Sequence, residues 1–291
     1  MNNVTHIATR TADFSTADDA EIYYPVSEQA INLEYYANEL RHANATNPAL
    51  KAIVREDTDT VLAVHSNQYK LVKNEDVFPK FEEILRKSSL DLTDMYTSTD
   101  VVKGGGAVQK IYRFPAHQIQ ISKSDLVDME LRVRNSYDGS WSFGTILGGY
   151  RLICSNGMVI GTSFMWENRK HTSGLDVDRY LTRLDENVKI YMDHQEIWKH
   201  WAGKKVSEGQ VEMLLKEELK LSDRFVKDMV QGFVHEAQSM GYTIWALFNA
   251  LTYWSTHEKI NKNSERTLVN ESREKRVRQI ITSRGFERLA A

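Results

Sequence analysis

The chain has 291 residues, of which 41% are hydrophobic and 26% are charged, and its formal net charge is −3. This is a globular composition, long enough for one large domain or two small ones. The content of 15 Gly and 4 Pro excludes collagen-like and Pro-rich disordered classes. The single cysteine, Cys154, excludes an internal disulfide and a multi-cysteine zinc site.

The segment at Met1–His6 lacks the charged and apolar regions of a signal peptide. No apolar run approaches the roughly 20 residues of a membrane-spanning helix. We therefore expect a reducing cell interior as the compartment and no membrane partner.

Charge is segregated along the chain. Residues 1–100 carry 9 Lys and Arg against 17 Asp and Glu, and residues 171–255 carry 10 against 13. Residues 101–170 and residues 256–291 each carry 9 against 5. Because local basic surface decides polyanion binding more than net charge does, the two basic regions are candidates for such binding. The alternative is a mosaic surface without a binding role.

The predicted organisation is a loosely ordered segment 1–24, a core domain 25–255 and a basic helical segment 256–291. In the first third, Ser27 is predicted to cap a helix whose apolar residues recur at spacings of three and four. Strands are predicted next, and then a helix capped by Asn74. The residues of the first helix are Ala30, Leu33, Ala37 and Leu40, the strands are Lys51–Arg55 and Val61–Val64, and the second helix contains Phe78, Phe81, Ile84 and Leu85.

Strand signals dominate the middle third, and turn signals separate them. The Asn156-Gly157 pair predicts a tight hairpin turn. Gly104-Gly105-Gly106 lacks the Gly-Lys-Ser/Thr of a P-loop and favours a flexible hairpin tip. The predicted strands are Val108–Phe114, Gln118–Ile121, Met129–Arg134 and Leu152–Ile160.

Helical periodicity continues from Asp176, and Ser272 is predicted to cap the last helix. These elements predict an α+β fold, with a central antiparallel sheet flanked by N-terminal and C-terminal helices. No nucleophile elbow, P-loop or paired-histidine metal motif is found. We therefore expect a protein that is not an enzyme, with no catalytic residues, no metal and no cofactor.

Basic residues alternate with aromatic residues on the predicted strands, a combination typical of single-strand nucleic-acid binding. Arg132 and Arg134 are predicted to share one exposed strand face. The alternative is that the aromatic rings pack the core while the arginines face solvent. The candidate nucleic-acid-binding residues are Lys110, Tyr112, Arg113, Arg132, Arg134 and Arg151, with Lys275, Arg276 and Arg278 as a second patch.

Three segments resemble one known family. The segment Arg151–Met158 carries a basic residue, a Cys and an Asn-Gly pair, and it resembles the phage- and plasmid-borne family called domain of unknown function 932. His65–Val72 is similar to its Ser-x-x-Tyr segment, and Asn249–Trp254 is similar to its Asn-Ala-(Leu/Phe)-Thr helix. The resemblance covers about residues 50–290 and implies mobile-element biology in a bacterial cytoplasm, without catalytic residues to transfer.

The family's layout, a strand-rich centre with flanking helices, is similar to that of single-strand annealing recombination proteins. The function expected is therefore that of a phage- or plasmid-encoded DNA-binding protein, in narrower form a single-strand annealing mediator. Single-stranded DNA and further copies of the chain are the expected partners. The alternatives are a protein-binding factor that inhibits a host defence system, with a phage or host protein as partner, and a structural phage protein.

Overall fold

The computed structural model describes residues 19–32, 46–123, 125–141, 143–152, 156–158, 177–218, 220–262 and 264–291. Strands and helices are both well represented. The strands are β1 Val26–Asn32, β2 Thr46–Arg55, β3 Thr60–Ser66, β4 Tyr96–Val102, β5 Ala107–Gln120, β6 Leu126–Ser136, β7 Gly144–Arg151 and β8 Asn156–Met158. The helices are α1 Asp19–Ile22, α2 Asn74–Lys87, α3 Val177–Gly203, α4 Glu208–Met213, α5 Asp223–Met240, α6 Ile244–His257, α7 Arg266–Ile281 and α8 Arg284–Ala290.

The predicted α+β class is confirmed. The strands form two sheets where one was expected, a three-stranded sheet β1-β2-β3 and a five-stranded sheet β4-β5-β6-β7-β8. The chain divides into two compact units. The first unit comprises 1–112, 131–146 and 165–185, and the second comprises 113–130, 147–164 and 186–291. The predicted boundaries at 24/25 and 255/256 stay predictions.

In the first unit, residues Val26–Asn32 form a strand, so the helix predicted from Ser27 is wrong there. Backbone pairing explains the difference, because β1 lies antiparallel to β2 with Ser27 opposite Val54. Tertiary pairing outweighs the local helical spacing. The rest of that predicted helix, from Leu33 through Leu40, lies outside the described residues.

Helix α2 is confirmed, and its apolar residues Phe78, Phe81, Ile84 and Leu85 are all buried. Asn74 is not its cap, because Lys73 occupies the N-cap position. The Asn74 amide Nδ2 instead donates to the carbonyl of Ile22 at 2.8 Å, and its backbone N–H donates to the Tyr137 hydroxyl at 2.9 Å. Asn74 therefore joins α1, α2 and the end of β6.

The triglycine connects the paired strands β4 and β5, so the predicted hairpin position is confirmed, and all three of its carbonyls accept hydrogen bonds. The Gly104 carbonyl accepts from Arg55, and the Gly105 carbonyl accepts from the Tyr24 hydroxyl. The Gly106 carbonyl accepts from the backbone N–H groups of Tyr137 and Asp138, at 2.7 and 3.1 Å. Gly105 has φ +103°, and a Cβ added there would lie 2.8 Å from the Tyr24 ring. Glycine is therefore required both by conformation and by space.

The hairpin predicted around Asn156-Gly157 exists, but its turn lies elsewhere. Arg151 pairs with Asn156 and Tyr150 pairs with Gly157, so both residues of the Asn-Gly pair lie in a strand and not in the turn. Strand β7 extends to Arg151, which is buried against Asp125. Asn156 and Gly157 consequently belong to strand β8. Cys154 lies outside the described residues.

In the second unit, helices enclose an aromatic core. Trp198 of α3 packs against Trp245 and Phe248 of α6, with ring centroids 5.5 and 6.5 Å apart. Thr243 caps α6 by accepting from the Ala246 N–H. Helix α7 begins at Arg266, so the predicted start at Ser272 is wrong by more than one turn. Among the described residues, no helix has the length and hydropathy needed to cross a bilayer.

Candidate nucleic-acid interface

Lys110 and Tyr112 are both buried on β5 in the first unit, with 0% of each residue exposed. The Lys110 ammonium lies 2.8 Å from Oε1 of Glu82 on helix α2, and the Tyr112 hydroxyl donates to the same oxygen at 3.1 Å. The Tyr112 ring also packs against Phe81. Both residues are therefore engaged by α2, and neither is presented to a phosphate or a base.

Arg113 is buried in the second unit. Its Nε donates to Oε2 of Glu130 at 2.7 Å, and its guanidinium lies 3.9 Å from the centroid of the Tyr150 ring. Glu130 belongs to the neighbouring strand β6, so the pair connects two strands of the sheet. The charge that was expected to attract DNA is used inside the protein.

Arg134 is 3% exposed, so the expected exposed face shared with Arg132 is wrong. Its Nε donates to Oε1 of Gln109, and its guanidinium lies 4.8 Å from the Trp141 centroid. Gln109 in turn donates to Asp100 at 3.1 Å. Arg132, on the same strand face, is half-buried.

Arg151 is 2% exposed and forms the centre of a polar cluster in the second unit. Its guanidinium contacts both carboxylate oxygens of Asp125, Nε to Oδ1 at 2.7 Å and Nη2 to Oδ2 at 2.9 Å. Nη1 lies 3.3 Å from Oε2 of Glu236 on helix α5. The indole Nε1 of Trp245 donates to Asp125 Oδ2 at 2.8 Å. Such a bidentate, charge-assisted arrangement fixes β7 to the helices.

The environment around these strands in the second unit is acidic. Asp128 is 1% exposed and accepts from Gln118 at 2.7 Å. Burial, together with the nearby charges of Asp128 and Glu130, raises the pKa of Tyr191 well above its ordinary value. Because Arg113 and Arg151 are buried and paired with carboxylates here, their charges are not presented to a polyanion.

One cause explains the placement of Lys110, Tyr112, Arg113, Arg134 and Arg151. Period-two alternation predicts that one strand face meets solvent, but residues 107–114 of β5 are buried without interruption. Strands covered on both faces carry both sets of side chains into the interior. All five side chains are buried, so the exposed face predicted for Arg134 is wrong, and Phe114 and Trp141 are buried as well.

The second predicted patch lies at the surface. Lys275 and Arg276 on α7 are exposed, and Arg278 is half-buried. Lys275 lies 3.0 Å from Glu271 one turn earlier. Within the described residues, Arg276 has no ion-pair partner. These residues belong to the C-terminal basic segment, residues 256–291.

Arginine side chains organise the junction between α6 and α7. The Arg273 guanidinium donates to the carbonyls of Glu258 and Lys259 at 2.9 and 2.8 Å, and it lies 5.4 Å from the Trp254 centroid. Asn270 donates to the Thr256 carbonyl at 3.4 Å. Cations at the C-terminal end of a helix stabilise its unpaired carbonyls. These contacts fix α7 against α6 and explain why α7 begins before Ser272.

An exposed aromatic pair precedes this junction. Tyr253 is 50% exposed, and its ring lies 4.7 Å from the ring of His257, one turn later on α6. The exposed cations Lys259, Lys262 and Arg266 follow within nine residues. Sequence analysis missed these five residues as binding candidates. Their signal was the polar face of α6, where Tyr253 and His257 are four residues apart opposite the apolar stripe.

Within the described part of the chain, no cluster of three or more His, Cys, Asp or Glu side chains could hold a metal ion.

Comparison with known proteins gives one match. The family model described as "Domain of unknown function (DUF932)" matches residues 61–281, about three quarters of the chain. No curated protein and no solved structure matches the chain.

Proposed function

The chain belongs to the DUF932 family, and we propose that it is a non-enzymatic DNA-binding protein that binds single strands through its C-terminal basic segment. The observation that carries this proposal is surface charge. Among its described residues, this segment has seven exposed Lys and Arg side chains and three exposed Asp and Glu side chains. The exposed cations are Lys259, Lys262, Arg266, Lys275, Arg276, Arg284 and Arg288.

The aromatic pair gives the proposal its preference for single strands. Cations in a groove or patch neutralise phosphates, and an exposed ring stacks on an unpaired base. Tyr253 exposes half of its surface at the end of α6, immediately before the cations of the segment. The bases of a duplex are already paired and stacked on one another, so they are not available to the tyrosine ring. Single-stranded DNA should therefore bind more tightly than double-stranded DNA.

The biological setting belongs to the same proposal. We place the protein in a phage or plasmid, in the cytoplasm of its bacterial host, where single strands arise during replication and recombination. A single-strand annealing mediator is the narrower form of this function. It requires that the bases stay accessible while the phosphates are neutralised by the cations of the C-terminal basic segment.

The test is fluorescence anisotropy of a labelled single-stranded oligonucleotide over a series of salt concentrations. Lys275→Ala with Arg276→Ala should weaken binding and flatten the log–log salt slope by about 1.4, because each lost single-strand phosphate contact contributes about 0.7. The matched control is Lys80→Ala with Arg86→Ala, which removes one lysine and one arginine from exposed positions of α2. The control should bind like the wild type.

A second variant tests base stacking on the Tyr253 ring. Tyr253→Ala should cost about 1–3 kcal/mol of binding free energy and leave the salt slope unchanged. A wild-type protein without salt-dependent binding at low ionic strength would overturn the proposal and favour the protein-binding alternative. Equal loss in the α2 control would show that the binding is not localised to the C-terminal basic segment.

A further inference from the structure

Strand β3 forms an edge of the three-stranded sheet and is unusually apolar at its surface. It pairs with β2 on one side, and within the described residues no strand pairs with its other side. Val61 and Val64 are 57% and 53% exposed, and Leu50 on β2 is 37% exposed. An open edge presents unpaired N–H and C=O groups, which are a template for another strand.

A bulge gathers these apolar side chains on one face. Val61 lies opposite Val54, Ala63 opposite Ile53 and Val64 opposite Ala52, so one extra residue of β3 is inserted between the first two pairs. The insertion shifts the alternation and brings Val61 and Val64 to the same side of the sheet. Leu50, two residues before Ala52 on β2, shares that side.

Apart from the bulge, β3 lacks the charged side chains and prolines that often protect an edge strand. The segment Thr60–Ser66 contains no Lys, Arg, Asp, Glu or Pro, the residues that natural edge strands use against pairing. The opposite edge strand β1 differs, because it carries Glu28, whose carboxylate lies 2.8 Å from the Lys51 ammonium. Nothing in the charge of β3 therefore opposes pairing with an identical strand.

The two ends of β3 carry opposite charges. The turn before it exposes Glu56 and Asp59, and the segment after it exposes Lys70. A backbone hydrogen bond from Tyr69 to Ser66 at 3.0 Å and the stacking of Tyr69 on His65 at 4.0 Å hold Lys70 near the end of the strand. In the described part of the chain, neither Glu56 nor Lys70 has an ion-pair partner.

We propose that β3 is a self-association surface, on which β3 of a second copy of the chain pairs in antiparallel orientation about a twofold axis. Antiparallel pairing brings the acidic start of each strand to the basic end of the other. Parallel pairing would place acid beside acid and base beside base. The pair would cover Val61 and Val64 of both copies and satisfy the open backbone groups. This inference does not depend on DNA binding.

Sedimentation velocity of the full chain over a concentration series tests the proposal. The wild type should be dimeric, and Val64→Lys should be monomeric with an unchanged circular dichroism spectrum, because the replaced side chain is exposed. Val61→Lys is a second variant of the same surface. The matched control is Ile197→Lys on α3, where the isoleucine is 44% exposed, and it should stay dimeric. A monomeric wild type, or dimeric lysine variants of β3, would overturn the proposal.

Charge reversal tests the orientation. Glu56→Lys and Lys70→Glu should each weaken the dimer roughly tenfold, since a twofold axis repeats every contact. The double variant restores opposite charges at each end and should recover wild-type association. Additive weakening in the double variant would overturn antiparallel pairing.

Discussion

Cations occupy opposite environments in two regions of this chain. On β5 and β7, Lys110, Arg113 and Arg151 are buried, each with a carboxylate oxygen at 2.7 or 2.8 Å. In the C-terminal basic segment, Lys275 and Arg276 are exposed. Removing one partner of a buried pair leaves an uncompensated charge away from water, whereas an exposed cation is stabilised by solvent. The same residue types therefore serve stability in one region and remain available for ligands in the other.

Among the cations of the two regions, Arg151 is expected to cause the largest loss of stability when it is replaced. Arg151→Ala should lower the free energy of unfolding by about 3–5 kcal/mol, because Asp125 and Glu236 would lose their buried counter-charge. Urea denaturation followed by tryptophan fluorescence measures this loss. A loss below about 1 kcal/mol would mean that water replaces the guanidinium and that the cluster is not a dry interior site.

Substitutions in the Lys110–Glu82 pair can distinguish the effect of charge on stability from the effect of packing. Lys110→Met should destabilise the fold by about 3 kcal/mol, because Glu82 keeps its charge without a cation. Adding Glu82→Gln removes that charge and retains an acceptor for the Tyr112 hydroxyl. The double variant should therefore be more stable than Lys110→Met alone, as measured by a double-mutant cycle. A double variant less stable than the single one would show that packing, not charge, dominates here.

Tyr24 extends the comparison to a neutral buried group. Burial raises its pKa to about 12, whereas an unfolded chain has a tyrosine pKa of about 10. The contribution of the protonated Tyr24 hydroxyl to the free energy of unfolding is thus fully present below about pH 10. It is lost as the pH rises towards about 12, and it amounts to a total on the order of 2 kcal/mol. The pH dependence of urea unfolding measures it, with Tyr24→Phe as the comparison. An equally steep decline in that variant would assign the effect to other groups.

The smallest effects are expected in the C-terminal basic segment. Lys275→Ala and Arg276→Ala should each change the unfolding free energy by less than about 0.5 kcal/mol, because both side chains are exposed. Thermal unfolding of each variant beside Arg151→Ala gives the direct contrast. A large loss in Arg276→Ala would mean that its side chain supports the helix and would remove the distinction between the two regions.

Much of the fold follows from local pattern. Helix α2 was predicted because its apolar residues recur at helical spacing, and β2 and β3 were predicted because an acidic turn separates two apolar runs. β1 was not predicted, since its pairing with β2 joins residues that are distant in sequence, such as Val26 and Arg55. The hairpin turn after Arg151 was misplaced for a similar reason. Its register, with Arg151 opposite Asn156, cannot be seen from the Asn-Gly pair alone.

The binding candidates show a sharper limit. A strand reading Lys-Ile-Tyr-Arg-Phe has the same pattern whether or not a helix covers it. Lys110 is covered by helix α2 and paired with Glu82, which lies 28 residues earlier in the chain. Lys275 and Arg276 were placed correctly at the surface because a helix with Val277 and Ile280 inward leaves its opposite side in water. Periodicity thus predicts relative faces and not which faces are covered.

The triglycine between β4 and β5 has a practical consequence for anyone who modifies this protein. Hairpin tips rich in glycine are ordinarily chosen for inserting a peptide tag or a fluorescent label. Here the three carbonyls of Gly104, Gly105 and Gly106 accept from Arg55, from Tyr24 and from the end of β6. An insertion would separate these contacts and detach β1 and β2 from the hairpin. The turn at Glu56–Asp59, whose side chains are exposed, is no safer if β3 pairs as proposed.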